Sequence, residues 1–176
     1  MENDLAYIQD YNASNIAKIK KLLGVIAACA PFEPNISKIA EKLQFGRNTV
    51  NTYLRQLYEA HILRLLNKPA NSISQLQKPD KIYFENTSFA YALQNNPEVG
   101  TMRETFFLNQ VHNAGYKIHL STKGDFLVAN QWIFEVGGRS KGEKQIKGVK
   151  DAYLVLDDIE IGFGNRIPLW LFGFLY

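Results

Sequence analysis

Two short helical patterns separated by a glycine turn constrain the fold of this chain more than any other feature. Ser37 can cap the first helix, which runs to Leu43 and breaks at Gln44-Phe45-Gly46, where the glycine allows a tight turn. The next helix starts near Asn48. Its apolar positions recur at helical spacing and predict a buried face of Val50, Tyr53, Leu54, Leu57, Tyr58 and Ile62. This arrangement is typical of a helix-turn-helix.

The outer face and amino end of the second of these helices carry side chains that suit contact with nucleic acid. The candidate contact residues are Arg47, Asn48, Thr49, Asn51 and Arg55. Charge is concentrated in the same region, because residues 15–68 carry nine bases against three acids, whereas residues 69–176 carry eleven of each. We therefore expect DNA to be a partner, and a protein partner is the alternative for this module.

A longer helix precedes the pair and two strands follow it. Apolar residues recur at helical spacing from Ile16 to Ala30, and Pro31 ends that helix. Ile62 to Leu66 and Lys81 to Phe84 are predicted strands joined by a polar loop, which is the pattern of a wing. Residues 1–88 are thus predicted to form a winged helix-turn-helix, and residues 89–176 a second domain.

The second domain alternates helices and strands. A helix capped by Thr101 is followed by a strand at Tyr116 to Leu120, a hairpin at Asp125 to Glu135, a short basic helix at Lys141 to Lys147 and a strand at Ala152 to Leu156. The order is α-β-β-β-α-β. The whole chain is accordingly predicted to be of the α+β class.

Asp125 and Glu135 bracket the two apolar runs of the predicted hairpin. If the loop is Ala129-Asn130-Gln131, the two carboxylates face each other with β-carbons about 5 Å apart. Like charges so placed call for a cation, and Mg²⁺ or Mn²⁺ prefers such oxygen ligands. A two-residue loop is the alternative, and it would send the two side chains to opposite faces of the sheet.

With Glu104 on the preceding helix, this order of elements resembles the PD-(D/E)XK restriction-nuclease fold. The resemblance implies that Glu104, Asp125 and Glu135 are metal ligands and that a lysine follows two residues after the last of them. That place is held by Gly137. Lys141 is the candidate for a migrated lysine, and without one the resemblance implies that cleavage has been lost.

A second resemblance covers nearly the whole chain. Its strings include Arg47-Asn48-Thr49-Val50, Gly124-Asp125-Phe126-Leu127-Val128, Phe134-Glu135-Val136-Gly137-Gly138 and Ile167-Pro168-Leu169-Trp170. They are similar to the carboxy-terminal domain of unknown function of bacterial and archaeal AAA-type ATPases. Members of that family usually carry an amino-terminal P-loop ATPase, but this chain has no Gly-X-X-X-X-Gly-Lys-Ser/Thr run, so we expect no nucleotide cofactor. The chain is expected to be a fragment, a truncated product or a standalone descendant.

Three functions remain open from the sequence. The preferred one is a DNA-binding accessory domain with a degenerate nuclease-like site, and the first alternative is an active Mg- or Mn-dependent nuclease. The second is a module that docks on an ATPase domain or an oligomeric partner through the aromatic tail Leu169 to Tyr176.

The sequence also favours a cytoplasmic protein without membrane contact. The chain opens with acidic residues rather than a signal-peptide pattern, and its longest apolar run, Ile167 to Tyr176, is about half the length that spans a bilayer. Cys29, the single cysteine, lies in an apolar run and is predicted to be a buried, inert thiol.

Overall fold

The computed structural model describes residues 13–69, 79–94 and 96–175. Over these residues the chain is of the α+β class, as predicted. Its described residues in the first half form four helices and a two-stranded antiparallel sheet. Their bounds are α1 Ala13–Ala27, α2 Ile36–Leu43, α3 Arg47–Glu59, β1 Leu63–Leu66, β2 Lys81–Phe84 and α4 Thr87–Leu93.

The helical part of the first half follows the sequence pattern closely. Val50, Tyr53, Leu54 and Leu57 of α3 are buried, because they lie on the face that packs against α1 and α2. Tyr58 was placed on the same face but is 39% exposed, with the guanidinium of Arg64 over its ring at 5.7 Å.

Two details near the helix ends correct the sequence analysis. Helix α2 begins one residue before Ser37, and its cap is Asn35, whose side chain accepts a hydrogen bond from the Lys38 N–H at 3.0 Å. Helix α1 ends at Ala27, so Cys29 falls beyond its last turn and is exposed rather than buried.

The second half is a five-stranded mixed sheet with one long helix packed on it. The elements are α5 Val99–Asn113, β3 Ile118–Leu120, β4 Phe126–Val128, β5 Trp132–Gly137, β6 Ala152–Leu156 and β7 Arg166–Pro168, followed by a 3₁₀ helix at Leu169–Phe174. The strands are ordered as they occur in the chain, with β3, β4 and β5 antiparallel and β5, β6 and β7 parallel.

The predicted helix at residues 141–147 is wrong. The crossover between β5 and β6 is a series of turns, which Ile146 anchors by packing with Leu154 and Leu156. With a single buried apolar side chain and glycines at both ends, this segment lacks the periodic apolar face that stabilises a helix.

Strand β2 contributes to the cores of both halves. Ile82 and Phe84 pack with the helices of the first half, whereas Tyr83 points the other way and packs with Phe107 and Phe126 of the second half. The alternation follows from the two-residue period of a strand. It brings one face of the first sheet against the region that holds the candidate site.

Among the described residues, no helix is both long and apolar enough to cross a membrane.

Candidate functional site

The hairpin has the three-residue loop. Phe126 pairs with Phe134 and Val128 with Trp132, which leaves residues 129–131 as the loop and makes Asp125 and Glu135 the next two residues outward. Ala129 and Asn130 adopt positive φ angles of 52° and 56°, which form the tight connection. The two-residue alternative is therefore wrong, and Asp125 and Glu135 take opposite positions just beyond the paired residues, as the three-residue loop predicts.

Asp125 is held at the start of β4 by backbone hydrogen bonds. Its N–H donates to the Phe134 carbonyl at 2.9 Å, and its Oδ2 accepts from the Val136 N–H at 2.8 Å. Burial and the nearby charge of Glu104 raise the pKa of Asp125 to about 6, although the Val136 N–H acts in the opposite direction. Ionisation of the Asp125 carboxyl group is therefore less favourable in the folded protein than in water.

Glu135 is fully buried and is paired with Lys141. The Lys141 Nζ forms an ion pair with Glu135 Oε1 at 2.6 Å, while neither carboxylate oxygen accepts a well-aligned hydrogen bond from a described residue. Burial lowers the pKa of Lys141, but the hydrogen bond to Glu135 and the charges of Asp125 and Glu104 outweigh it, so the net shift is upward. The ammonium therefore stays charged beside the carboxylates.

Gly137 leaves the space through which Lys141 reaches this position. A Cβ built on Gly137 would lie 2.7 Å from both Cβ and Cγ of Lys141, which is closer than real contacts allow. Gly137 and Lys141, four residues later, thus form one arrangement. Lys141, the candidate for a migrated lysine, lies next to Glu135.

Glu104 is positioned by residues that sequence reasoning missed. Its Oε2 accepts hydrogen bonds from Lys81 Nζ at 2.9 Å and from Tyr83 OH at 2.8 Å. Burial and the Glu104 charge raise the pKa of Tyr83 far above its usual range, so the hydroxyl remains a donor. The sequence held a signal for this pair, because Lys81 and Tyr83 are two residues apart on a predicted strand and so share a face.

Arg103, the neighbour of Glu104, fixes helix α5 to the ends of the parallel strands. Its Nε lies 2.9 Å from Asp157 Oδ2, just beyond β6, and its guanidinium passes over Gly138. The contact sets the position of α5 relative to β5, and with it the distance between Glu104 and the carboxylate pair.

The residues present fit a divalent cation in one respect. Glu135 offers a buried oxygen without a donor beside the Asp125 carboxyl, and Mg²⁺ commonly uses one or two carboxylates plus substrate phosphate. In the described part of the chain, no three acidic, histidine or cysteine side chains converge as a ready-made metal site. The candidate ligand pair is thus Asp125 and Glu135, with Glu104 turned toward β2.

The predicted nucleic-acid contacts form a second surface. Arg47, Asn48 and Arg55 are exposed on α3, whereas Thr49 and Asn51 are partly buried. An open groove between α3 and β1 is lined in part by Asn48, Asn51, Thr52 and Arg55. The Asn51 Oδ1 points into protein without a partner among the described residues, and Arg55 makes only an exposed contact of 3.7 Å with Glu59.

Comparison with known proteins assigns this chain to a family. Residues 1–99 match the family described as Domain of unknown function (DUF8612), and the chain belongs to that family. The match ends at the first residue of α5, so it covers the helical half and the β2 face but not the carboxylate pair. No curated protein and no solved structure matches the chain.

Proposed function

We propose that this chain is a DNA-binding protein in which a winged helix-turn-helix holds the duplex and a restriction-nuclease-like half cleaves it with the help of a divalent metal. The two-stranded sheet β1–β2 after α3 supports the winged helix, and the carboxylate pair on β4–β5 supports the nuclease-like half. We also propose, from the sequence, that the partner is an ATPase domain and that the protein is cytoplasmic.

Support for DNA binding comes from helix α3. Arg47, Asn48 and Arg55 remain exposed on a helix whose other face is fully used in packing. Arginine contacts phosphates or guanine edges, and an asparagine amide matches the adenine edge in the major groove. The excess of bases over acids in residues 15–68 adds a long-range attraction to the phosphate backbone.

The observation that carries the proposal of cleavage is the Lys141 ammonium at 2.6 Å from Glu135. On sequence alone, glycine at position 137 favours a degenerate site. That argument is weaker once the packing is considered. Lys141 supplies the positive charge that Gly137 lacks, and its side chain occupies the space that a side chain at position 137 would fill. We therefore place the nuclease ahead of the accessory domain without cleavage.

Each side chain then has a chemical role. Asp125 and Glu135 would hold the Mg²⁺ or Mn²⁺ ion, which when bound polarises a phosphate and lowers the pKa of a water molecule. The Lys141 ammonium stabilises negative charge that develops on the phosphate oxygens. The backbone N–H of Val136 fixes the Asp125 carboxylate in place.

Cleavage is tested with end-labelled linear and supercoiled DNA in Mn²⁺, run on native and denaturing gels. We expect cleavage by the parent chain and a loss of about 100-fold or more in Asp125→Asn and in Lys141→Met. Lys144→Met is the matched control, since Lys144 is exposed on the same crossover. Intact DNA that shifts on the native gel would instead establish the accessory-domain function.

DNA contact through α3 is tested by the salt dependence of binding. Replacing Arg47 and Arg55 by alanine removes two phosphate-neutralising charges and should flatten the slope of log K against log salt by about two units. Lys117 and Lys150, both exposed in the second half, serve as the control pair. An unchanged slope in the α3 variant together with a reduced one in the control pair would place the contact elsewhere.

A second candidate function is supported by the exposed apolar tail. Phe174 is 78% and Trp170 50% exposed, and the centroids of their rings lie 6.0 Å apart. Adjacent exposed aromatic side chains are a frequent feature of protein interfaces. The candidate is docking on an ATPase domain or a second copy, and light scattering of the parent chain beside Trp170→Ser/Phe174→Ser tests the second of these.

A further inference from the structure

The third carboxylate of the site is held by the other half of the molecule. Both hydrogen bonds to Glu104 Oε2 come from β2, and the Lys81 ammonium lies over the Tyr83 ring at 4.9 Å, which orders the three groups together. The Lys81 and Glu104 side chains are only about a quarter exposed, at 25% and 20%. The contact is thus partly shielded from water and stronger than a surface ion pair.

We propose that Lys81 and Tyr83 are positioning residues that set the cation affinity of the carboxylate cluster by holding Glu104. The inference rests on the proposed cation site at Asp125 and Glu135. While Lys81 neutralises Glu104, the third carboxylate contributes little attraction to a divalent ion. When Lys81 leaves, Glu104 keeps only the hydrogen bond from Tyr83 and its charge is no longer neutralised, so it can act as a charged ligand for the ion.

The position of Lys81 in the chain links this release to DNA. Lys81 is the first residue of β2 and directly follows the loop that the sequence predicts to be the wing. A DNA phosphate that reaches the partly exposed Lys81 side chain would compete with Glu104 for its ammonium, since both are anions that accept hydrogen bonds from it. DNA binding would therefore raise the affinity of the cluster for the divalent ion.

Glu104 is linked to the carboxylate pair by packing as well as by hydrogen bonds. The hydroxyl of Tyr83 donates to Glu104, and the centroid of its ring lies 5.9 Å from that of Phe126, which directly follows Asp125 in the chain. A change in the charge balance at Glu104 is therefore felt at the carboxylate pair without any large movement of the backbone.

The test is direct Mn²⁺ binding without DNA, measured by the loss of the free-ion signal in electron paramagnetic resonance. We expect Lys81→Met to bind Mn²⁺ about tenfold or more tightly than the parent chain, because it removes a positive charge and frees Glu104. Tyr83→Phe should give a smaller gain, since it removes one hydrogen bond and no charge. Lys117→Met is the control for a general loss of positive charge, since Lys117 lies just before β3, at the end of the strand away from Asp125.

A double-mutant cycle separates positioning from simple charge removal. Glu104→Gln should change Mn²⁺ affinity little in the parent chain but remove most of the gain in the Lys81→Met background. If the two changes are additive, Lys81 does not act through Glu104 and the inference is overturned. Binding that depends on Asp125 but not on Lys81 would overturn this inference alone, whereas no Mn²⁺ binding in any variant would overturn the proposed metal site as well.

Discussion

At the scale of single residues, the site is a compromise between charges that repel and the groups that hold them. Asp125 and Glu135 are adjacent carboxylates, and one of them is fully buried. Lys141 offsets part of their repulsion through its contact with Glu135, whereas burial, followed by the charges of Glu104 and Glu135, still raises the pKa of Asp125. Carboxylates that remain close together and shielded from water are suited to binding a cation.

The Asp125 carboxyl gives a prediction on stability against pH. Because its pKa is raised from 3.8 to about 6, the folded state holds the proton more tightly than the unfolded state. Its ionisation therefore lowers the free energy of unfolding as pH rises through this window, and the cost is complete above it. Asp125→Asn should stabilise the protein by about 1–3 kcal/mol at pH 8 and by little at pH 3.

Urea unfolding at the two pH values measures this effect. Glu160→Gln is the control, because Glu160 is an exposed carboxylate outside the cluster. Equal effects of both substitutions at pH 8 would contradict the assignment of the unfavourable charge to Asp125.

At the scale of elements, the ends of helices and strands decide details that the apolar patterns leave open. Helix α2 is capped by Asn35 and not by Ser37, and strand β5 passes into a crossover of turns rather than a helix. For α2 the apolar residues fit either cap, whereas the crossover lacks the periodic apolar face that a helix needs. The hydrogen bond from the Lys38 N–H selects Asn35 as the cap of α2, and the close packing of Lys141 on Gly137 fixes the start of the crossover.

The cap of α2 supplies a matched pair of substitutions. Asn35→Ala removes the acceptor for the Lys38 N–H and should cost about 1 kcal/mol of stability. Ser37→Ala, in the first turn and exposed, should cost much less. A thermal or urea melt of each variant checks the order, and a larger loss in Ser37→Ala would restore the cap predicted from sequence.

Gly137 gives a second prediction at this scale. Gly137→Ala places a methyl group where Cβ and Cγ of Lys141 lie, so it should displace the lysine from Glu135 and cost about 1–3 kcal/mol. Gly142→Ala is the control, since no atom lies within 4 Å of a Cβ there. Urea melts compare the two, and a Gly137→Ala variant as stable as the control would mean that Lys141 has another route to the site.

At the scale of the whole molecule, a hydrogen bond beside a buried ion pair of the first half links the two halves, in addition to the packing of β2. Arg64 of β1 is paired with Glu85, just after β2, and both side chains are about nine-tenths buried. The Glu85 carbonyl accepts a hydrogen bond from Asn109 of α5 at 2.9 Å. The predicted boundary after residue 88 therefore lies within a region of continuous contacts.

Breaking this pair should affect the molecule as a unit. Arg64→Met leaves a buried Glu85 charge without its partner and should cost about 3–5 kcal/mol, whereas replacing both residues by methionine should recover much of the loss. Unfolding followed by circular dichroism and by tryptophan fluorescence measures both variants. Trp132 and Trp170 lie in the second half and the helices mainly in the first, so fluorescence and circular dichroism report mainly on different halves. We expect the two unfolding transitions to coincide, because the linked halves unfold together. A smaller loss from Arg64→Met than from the double replacement would contradict this account.

The sequence by itself determined the α+β class and the approximate places of most helices and strands, because these depend on local periodicity. It left two lengths open for the hairpin loop, and the backbone pairing decided for the three-residue loop that makes Asp125 and Glu135 face each other. It also indicated Lys141 as a candidate. Only the tertiary structure decided that the Lys141 ammonium reaches Glu135 and that β2 holds Glu104. Those contacts join residues 6 to 23 positions apart, and their geometry depends on how the crossover and the two halves pack, which no local pattern encodes.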